Sequence, residues 1–291
     1  MPRDAGRERK VRKFSSSKPT IEGAGVYLMR AFGFGATHDF DPFLLLDDFR
    51  SDDPQRYLKG FPWHPHRGIE TITYILEGSV EHGDSLGNEG AIGPGDAQWM
   101  TAGSGIIHQE MPKGDERGRM GGFQLWANLP ASRKMMDPRY RDLKSAQIPG
   151  ITTADGARVR IICGEVEGTR GPVQDVVIDP EYLDVAVPPR SEFRHPTKPG
   201  HTVFAYVFEG EARFGGQSGR AAKNHDLLLF EDGDRLSVST GEEPARFLLL
   251  CGKPLGEPIA WHGPIVMNTQ EELRIAFEEY QEGTFIKKGH L

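Results

Sequence analysis

The sequence predicts an all-β protein with two antiparallel barrels or sandwiches in tandem and a short helix near the C-terminal end. Three observations predict it: short apolar segments alternate with glycine turns, amphipathic helical patterns are missing from the strand-rich first half, and one β pattern occurs twice. The chain has 291 residues, a length that suits two domains of roughly 100–150 residues.

The first half consists of short strand-like segments with Gly or Asp between them. This spacing is typical of an antiparallel sandwich or barrel, and not of a parallel sheet with helical crossovers. The segments include GVYLMRAFG at 25–33, FLLLDDFR at 43–50, ITYILEG at 72–78 and GGFQLWANLP at 121–130.

A charged segment without strand alternation, 130–149, separates the two halves. Such a change of texture indicates an interdomain linker. We therefore expect a first domain at 1–135, a linker at 136–150 and a second domain at 151–291.

The second half repeats the β pattern of the first. ITYILEG at 72–78 resembles FAYVFEG at 204–210, since an aromatic-aliphatic strand is followed by Glu-Gly in both. The Gly-Asp pair at 95–96 resembles the one at 233–234, and each precedes another β run. These correspondences predict an internal duplication of one barrel.

The segment MNTQEELRIAFEEYQEG, 267–283, predicts a helix. Thr269 and Glu272 have the spacing of a capping box, and Gly283 is a plausible stop. The apolar residues lie on one helical face. They are Leu273, Ala276, Phe277 and Tyr280. We expect this helix to close the second domain.

The composition excludes several classes of function. The net charge of -7 gives no general attraction to nucleic acid, because such binding depends on Lys and Arg that neutralise phosphates. The basic arm, defined as residues 3–13, is expected to be a frayed, solvated terminus, with contact to phosphate or acidic lipid as the alternative. Its basic residues are Arg3, Arg7, Arg9, Lys10, Arg12 and Lys13.

The sequence shows no apolar secretory leader and no apolar run of about 18 residues. Cys163 and Cys251 both lie in apolar runs, which favours buried thiols over a disulfide between them. We therefore expect a cytoplasmic protein without a membrane segment.

Two pairs of polar residues carry the chemistry. His64 and His66 stand two apart at the start of a strand, and His108 and Glu110 stand two apart in GIIHQEMP. Residues two apart point to the same side of a strand, so all four side chains can converge inside one barrel. Three imidazoles and one carboxylate suit a divalent first-row metal, namely iron, manganese, cobalt, nickel, copper or zinc. The alternative is that the histidines are ordinary strand-end residues.

Other residues near these pairs have less definite roles. Glu70 shares the strand parity of His64 and His66, which makes it a rival ligand or a partner that orients an imidazole. Arg67 is a candidate for an anionic substrate, with a surface ion pair as the alternative. Aromatic and Met side chains either line the metal cavity or belong to the core. They are Trp63, Trp99, Met100, Met111 and Trp126.

FPWHPHRGIETITYILEG, PGDAQWMTAGSGIIHQEMP and QLWANLP resemble the pirin family of the cupin superfamily. GKPLGEPIAWHGPIVMNTQEEL resembles the C-terminal signature of that family. The resemblance implies two cupin (jelly-roll) barrels, with one iron, Fe(II), in the N-terminal barrel and a metal-free C-terminal barrel. It carries the metal ligands onto His64, His66, His108 and Glu110, and leaves Glu70 outside the ligand set.

The resemblance also implies two alternative functions. One is a quercetin 2,3-dioxygenase, which opens a flavonol with dioxygen and releases carbon monoxide, with Glu110 as the base for the phenolic proton. The other is a non-enzymatic regulator whose iron state alters its binding to transcription factors or metabolic enzymes. A small phenolic substrate or a protein partner is thus expected, with no direct nucleic-acid contact, and the chain is expected to be a monomer.

Overall fold

The computed structural model describes residues 6–216 and 218–287, and Arg3 of the basic arm lies outside them. Contacts divide the chain into two compact units, which confirm the predicted all-β class with two cupin-type barrels. The first barrel comprises Lys18–Thr37, Phe43–Ser145 and the described residues of Leu255–Leu291. The second barrel comprises the described residues of Met1–Ser17, His38–Pro42 and Ala146–Pro254.

The first barrel contains a seven-stranded sheet, a four-stranded sheet and a two-stranded ribbon. Its strands are β2 (Lys18–Glu22), β3 (Val26–Phe32), β4 (Phe43–Asp48), β5 (Phe61–His66), β6 (Ile69–Glu77), β7 (Ser79–Asp84), β8 (Glu89–Ile92), β9 (Ala97–Thr101), β10 (Ile106–Lys113), β11 (Gly121–Asn128), β12 (Arg139–Leu143), β23 (Ala260–His262) and β24 (Ile265–Met267). The larger sheet has the order β12-β9-β6-β11-β4-β3-β2, and the smaller has the order β5-β10-β7-β8.

The second barrel is built around one nine-stranded antiparallel sheet and a small ribbon. Its strands are β1 (Val11–Ser16), β13 (Gly150–Thr152), β14 (Arg158–Cys163), β15 (Glu165–Val166), β16 (Thr169–Arg170), β17 (Glu181–Val187), β18 (Glu192–Pro196), β19 (Thr202–Phe214), β20 (Arg220–Lys223), β21 (Asp226–Phe230) and β22 (Arg235–Gly252). Its inward side chains form one apolar core. Cys163 and Cys251 are buried thiols, as predicted.

Helical segments are short. The α-helices are α1 (Thr37–Phe40) and α2 (Gln270–Gln281), and the 3₁₀ turns are Pro54–Arg56, Ala131–Arg133 and Ser145–Gln147. The capping box of α2 is present, because Thr269 accepts from the Glu272 backbone while the Glu272 carboxylate accepts from the Thr269 backbone. No described helix is long and apolar enough to cross a membrane.

The two units differ from the consecutive domains expected from the sequence. The last residues of the basic arm lie in β1, which pairs with β21 of the second barrel. Helix α2 packs with β23 and β24 in a core cluster of the first barrel, so it does not close the second. The expected linker contains β12, which pairs with β9 of the first barrel.

The basic arm is paired along its described part, and it is not a frayed terminus. Arg9 is fully buried, and its guanidinium donates to Thr197 Oγ1 and to the Glu231 and Lys198 carbonyls. Arg12 and Lys13 both donate to the Asp39 carboxylate. These three cations therefore bind groups of the second barrel, and contact of the arm with phosphate or acidic lipid stays a prediction.

Strand pairing confirms one predicted correspondence between the two halves and corrects the other. Tyr74 faces Ala97 across β6 and β9, and Tyr206 faces Leu227 across β19 and β21. The turn before Ala97 therefore corresponds to the turn before Leu227. The predicted match of 95–96 with 233–234 is therefore wrong. Asp96 accepts from Gly93 N, and Asp226 accepts from Lys223 N in the matching turn of the second barrel, which has no glycine.

Candidate metal centre

Strands β5 and β10 bring three imidazoles together inside the first barrel. The two strands pair antiparallel, so His108 lies directly opposite His64, and His66 lies opposite Ile106. A potential ligand nitrogen from each of His64, His66 and His108 lies within 4.8 Å of the other two. The pairs predicted from spacing therefore do converge, as far as the histidines are concerned.

Backbone carbonyls fix the orientation of two of these rings. His64 Nδ1 lies 2.8 Å from the Pro62 carbonyl oxygen, and His66 Nδ1 lies 2.9 Å from that of Pro264. A carbonyl oxygen only accepts, so each Nδ1 must carry the proton and donate it. The Nε2 atoms then hold lone pairs, and they face each other at 3.0 Å.

Two lone pairs at this distance repel each other unless a cation lies between them. Burial lowers the pKa of His64, and it lowers the pKa values of His66 and His108 well below the ordinary value of histidine. A second proton on any of these rings is therefore disfavoured. Both ring nitrogens of His108 are buried and have no hydrogen-bond partner among the described residues. Buried polar atoms without partners are rare in native proteins and call for an explanation such as a missing ion.

The donor set fits a metal. Two nitrogens held at right angles on a metal at about 2.1 Å would be about 3.0 Å apart, which matches the separation of the two Nε2 atoms. Neutral imidazoles suit the first-row divalent metals, and carbonyl partners on Nδ1 are the usual support for such ligands. The cluster of His64, His66 and His108 can therefore hold a metal ion.

Glu110 lies on the same face of β10 as His108 and is also buried. Its carboxylate oxygen is not among the atoms that converge with the three imidazoles. Thr73 Oγ1 lies 3.1 Å from Glu110 Oε1 and 2.5 Å from Gln124 Oε1. The role of Glu110 as a fourth ligand stays a prediction.

Two further candidates are engaged elsewhere. Glu70 is buried and accepts from Thr101 Oγ1 at 2.6 Å. The buried guanidinium of Arg67 donates to the Ser104 and Phe285 carbonyls and forms an ion pair of 2.7 Å with Glu279. Arg67 is therefore neither a surface residue nor a group free to bind an anionic substrate.

A cavity of about 770 Å³ adjoins the imidazoles. His64, His66 and Glu110 line it, and its volume lies within the range of sites for small organic ligands. Of the five aromatic and Met residues considered from the sequence, Trp126 is the one in the lining of this cavity. Trp99 and Met100 are buried core residues, whereas Trp63 is half exposed.

Sequence reasoning missed several parts of the site. The Pro264 carbonyl that orients His66 comes from 198 residues further along the chain. Trp261 and Phe34, which also line the cavity, come from segments without metal-ligand spacing. A backbone carbonyl leaves no signal in side-chain identity, so only the fold could reveal the first of these.

The second barrel has apolar side chains at the corresponding strand pairing. Strand β18 pairs with β22 as β5 pairs with β10, and there Phe193 faces Val238 and His195 faces Leu236. Phe193, Val238 and Leu236 belong to the apolar core. His195 lies 3.1 Å from the Glu181 carboxylate. This arrangement supports the expectation of a metal-free second barrel, which stays a prediction.

Two cupin-type barrels, one with a three-imidazole cluster, define a bicupin with a candidate metal centre. The family model described as Pirin matches residues 25–127, and the model described as Pirin C-terminal cupin domain matches residues 182–286. The chain therefore belongs to the pirin family.

Known proteins resemble the chain over nearly its whole length. A pirin-like protein of Caulobacter vibrioides is 45% identical over 278 residues, which cover 95% of this chain and 99% of the relative. The crystal structure of quercetin 2,3-dioxygenase from Acinetobacter baumannii has a TM-score of 0.87 and 30% identity, with 96% of this chain and 98% of the other covered. The bacterial pirin YhhW of Escherichia coli, solved with nickel(II), has a TM-score of 0.62 and 25% identity, with 84% and 97% covered.

Proposed function

We propose that the protein is a metal-dependent dioxygenase of the quercetin 2,3-dioxygenase type, which opens flavonols with dioxygen. The main observation behind the proposal is that the three-imidazole cluster lies beside a cavity of about 770 Å³. Three protein nitrogens leave coordination positions free on a six-coordinate metal, and the cavity gives a flat aromatic molecule access to them.

The proposed reaction balances with the flavonol and dioxygen alone. The bonds from C3 to C2 and to C4 break, and C3 leaves as carbon monoxide with the oxygen of the 3-hydroxyl group. Both atoms of dioxygen stay in the ester product. The flavonol is oxidised and dioxygen is reduced, and the hydroxyl proton ends on the product.

The residues of this chain have separate roles in the proposal. His64, His66 and His108 would hold the metal, which when bound supplies a Lewis-acid centre with open positions. Glu110 would accept the proton of the flavonol 3-hydroxyl at a carboxylate oxygen and return it to the product. Thr73 Oγ1 lies 3.1 Å from Glu110 Oε1, within hydrogen-bond distance of that carboxylate.

The test is turnover of quercetin under oxygen by protein loaded with one equivalent of Fe(II). We expect loss of the flavonol absorbance, release of carbon monoxide and one ester product per flavonol consumed. The matched control is His108→Leu treated in the same way. No carbon monoxide from a fully loaded wild-type sample would refute the proposal.

Several finer expectations belong to this proposal. Fe(II) is the proposed metal, with manganese, cobalt, nickel, copper or zinc as alternatives that the imidazole donors also suit. A cytoplasmic monomer that acts on a small phenol remains the expectation. The second candidate, an iron-dependent regulator that binds another protein, predicts partner binding that differs between wild type and His64→Ala.

A further inference from the structure

A row of aromatic rings runs along the cavity wall from the metal centre. The ring of Trp126 lies 4.9 Å from that of His66, measured between centroids, and the rings of Trp126 and Trp261 are 5.9 Å apart. Phe34 continues the row with its centroid 5.5 Å from Trp261, at an interplanar angle of 69°. All three of these side chains line the cavity.

Phe34 ends this row at a solvent-exposed position. Its side chain is 79% exposed, although a phenylalanine gains about 1.5–3 kcal/mol when it is fully buried. It lies between Gly33 and Gly35, and the positive φ of 93° at Gly35 is one that glycine adopts readily. A large apolar side chain that lines a cavity but stays in water is available to cover a ligand.

Polar groups in the same cavity favour a ligand with hydroxyl groups. Arg30 donates to both oxygens of Asp47 and to Glu22, and all three residues line the cavity. Each carboxylate oxygen keeps a further lone pair that can accept from a ligand. Two carboxylates beside one guanidinium offer more acceptor oxygens than Arg30 occupies, which favours a ligand with hydroxyl donors.

We propose that Phe34 is a specificity-determining residue that covers the outer ring of a planar, polyhydroxylated aromatic ligand lying along Trp126 and Trp261. This inference rests on the proposed function and names the residue that selects the ligand. The inner ring would lie at the imidazoles, and the outer ring would meet Phe34 face or edge on, as aromatic pairs prefer. Hydroxyl groups of the ligand would donate to the Asp47 or Glu22 carboxylates.

The test measures binding without turnover. Protein loaded with Zn(II), which has no redox chemistry, is titrated with quercetin, and the dissociation constant is read from quenching of tryptophan fluorescence. We expect Phe34→Ala to weaken binding by about tenfold, which corresponds to about 1.4 kcal/mol. Phe34→Tyr keeps the ring and should bind within twofold of wild type.

The matched control is Tyr27→Ala. Tyr27 is an aromatic residue of the same barrel that is 49% exposed and does not belong to the cavity lining. This variant should bind quercetin as wild type does. Because Phe34 is so exposed, Phe34→Ala should keep the thermal unfolding midpoint of wild type, which separates lost binding from lost folding.

The outcomes also separate the inference from the proposed function. Phe34→Ala with a dissociation constant within twofold of wild type overturns the inference, as does wild-type protein that fails to bind quercetin. Wild-type protein that binds quercetin through Phe34 but releases no carbon monoxide with Fe(II) upholds the inference and refutes only the reaction.

Discussion

Replacement of His108 by leucine should make the metal-free protein more stable and abolish its metal site. His108 is buried, and neither ring nitrogen has a hydrogen-bond partner among the described residues. Leucine has a similar volume and no polar atom, so it fills the site without burying an unpaired donor or acceptor. A residue that lowers the stability of the fold in this way is typical of a functional site.

The magnitude follows from the burial of the imidazole. A buried donor or acceptor without a partner costs about 1–3 kcal/mol. We expect His108→Leu to raise the free energy of unfolding of the metal-free protein by about 1–3 kcal/mol. For a domain of roughly 150–250 residues, each kcal/mol raises the unfolding midpoint by about 2–4 °C.

Calorimetric unfolding of chelator-treated protein tests this prediction, with His82→Leu as the matched control. His82 is also buried, but Tyr140 and Asp142 lie at 2.7 and 3.2 Å from its two ring nitrogens. The control should therefore lose about 1–3 kcal/mol. Equal destabilisation in both variants, or metal-induced stabilisation that survives in His108→Leu, would refute the reasoning.

Three more predictions concern the support of the site. Lys134→Met should cost about 3 kcal/mol or more in urea unfolding, because it removes the three hydrogen bonds that Lys134 Nζ donates inside the first barrel, to Gly68 O, Asn128 Oδ1 and Val266 O. Glu279→Gln should lower the free energy of unfolding by about 2–4 kcal/mol, since it leaves buried Arg67 without its charge partner. An unchanged midpoint of urea unfolding would contradict this prediction. Thr269→Ala should cost about 0.5–2 kcal/mol through the lost cap of α2, while Thr269→Ser should restore most of it.

The sequence predicted the convergence of the three histidines because strand periodicity is a local property. His64, His66 and His108 were placed by the two-residue repeat of side chains on a strand, and the pairing of β5 with β10 brings them together; their role as metal ligands stays a prediction. The same rule placed Glu110 on the correct face of β10, yet it could not determine how far the carboxylate reaches. Arg67 was misjudged because its burial depends on Phe285 and Glu279, far along the chain.

The fold class was predictable and the division of the chain was not. Glycine turns and apolar segments mark strands locally, but they do not tell which sheet a terminal strand joins. Strand β1 pairs with β21, more than 200 residues away, and α2 packs on the first barrel. The repeat was aligned correctly at Glu77-Gly78, because Gly78 and Gly210 both have positive φ. The next turn was aligned incorrectly, because the matching turn of the second barrel lacks a glycine.

X-ray absorption spectroscopy of protein loaded with one equivalent of Fe(II) tests the central claim most directly. We expect one bound metal per chain with three imidazole ligands at about 2.1 Å. His108→Leu should show no bound metal. A wild-type spectrum with fewer than three imidazoles would contradict a centre built from His64, His66 and His108.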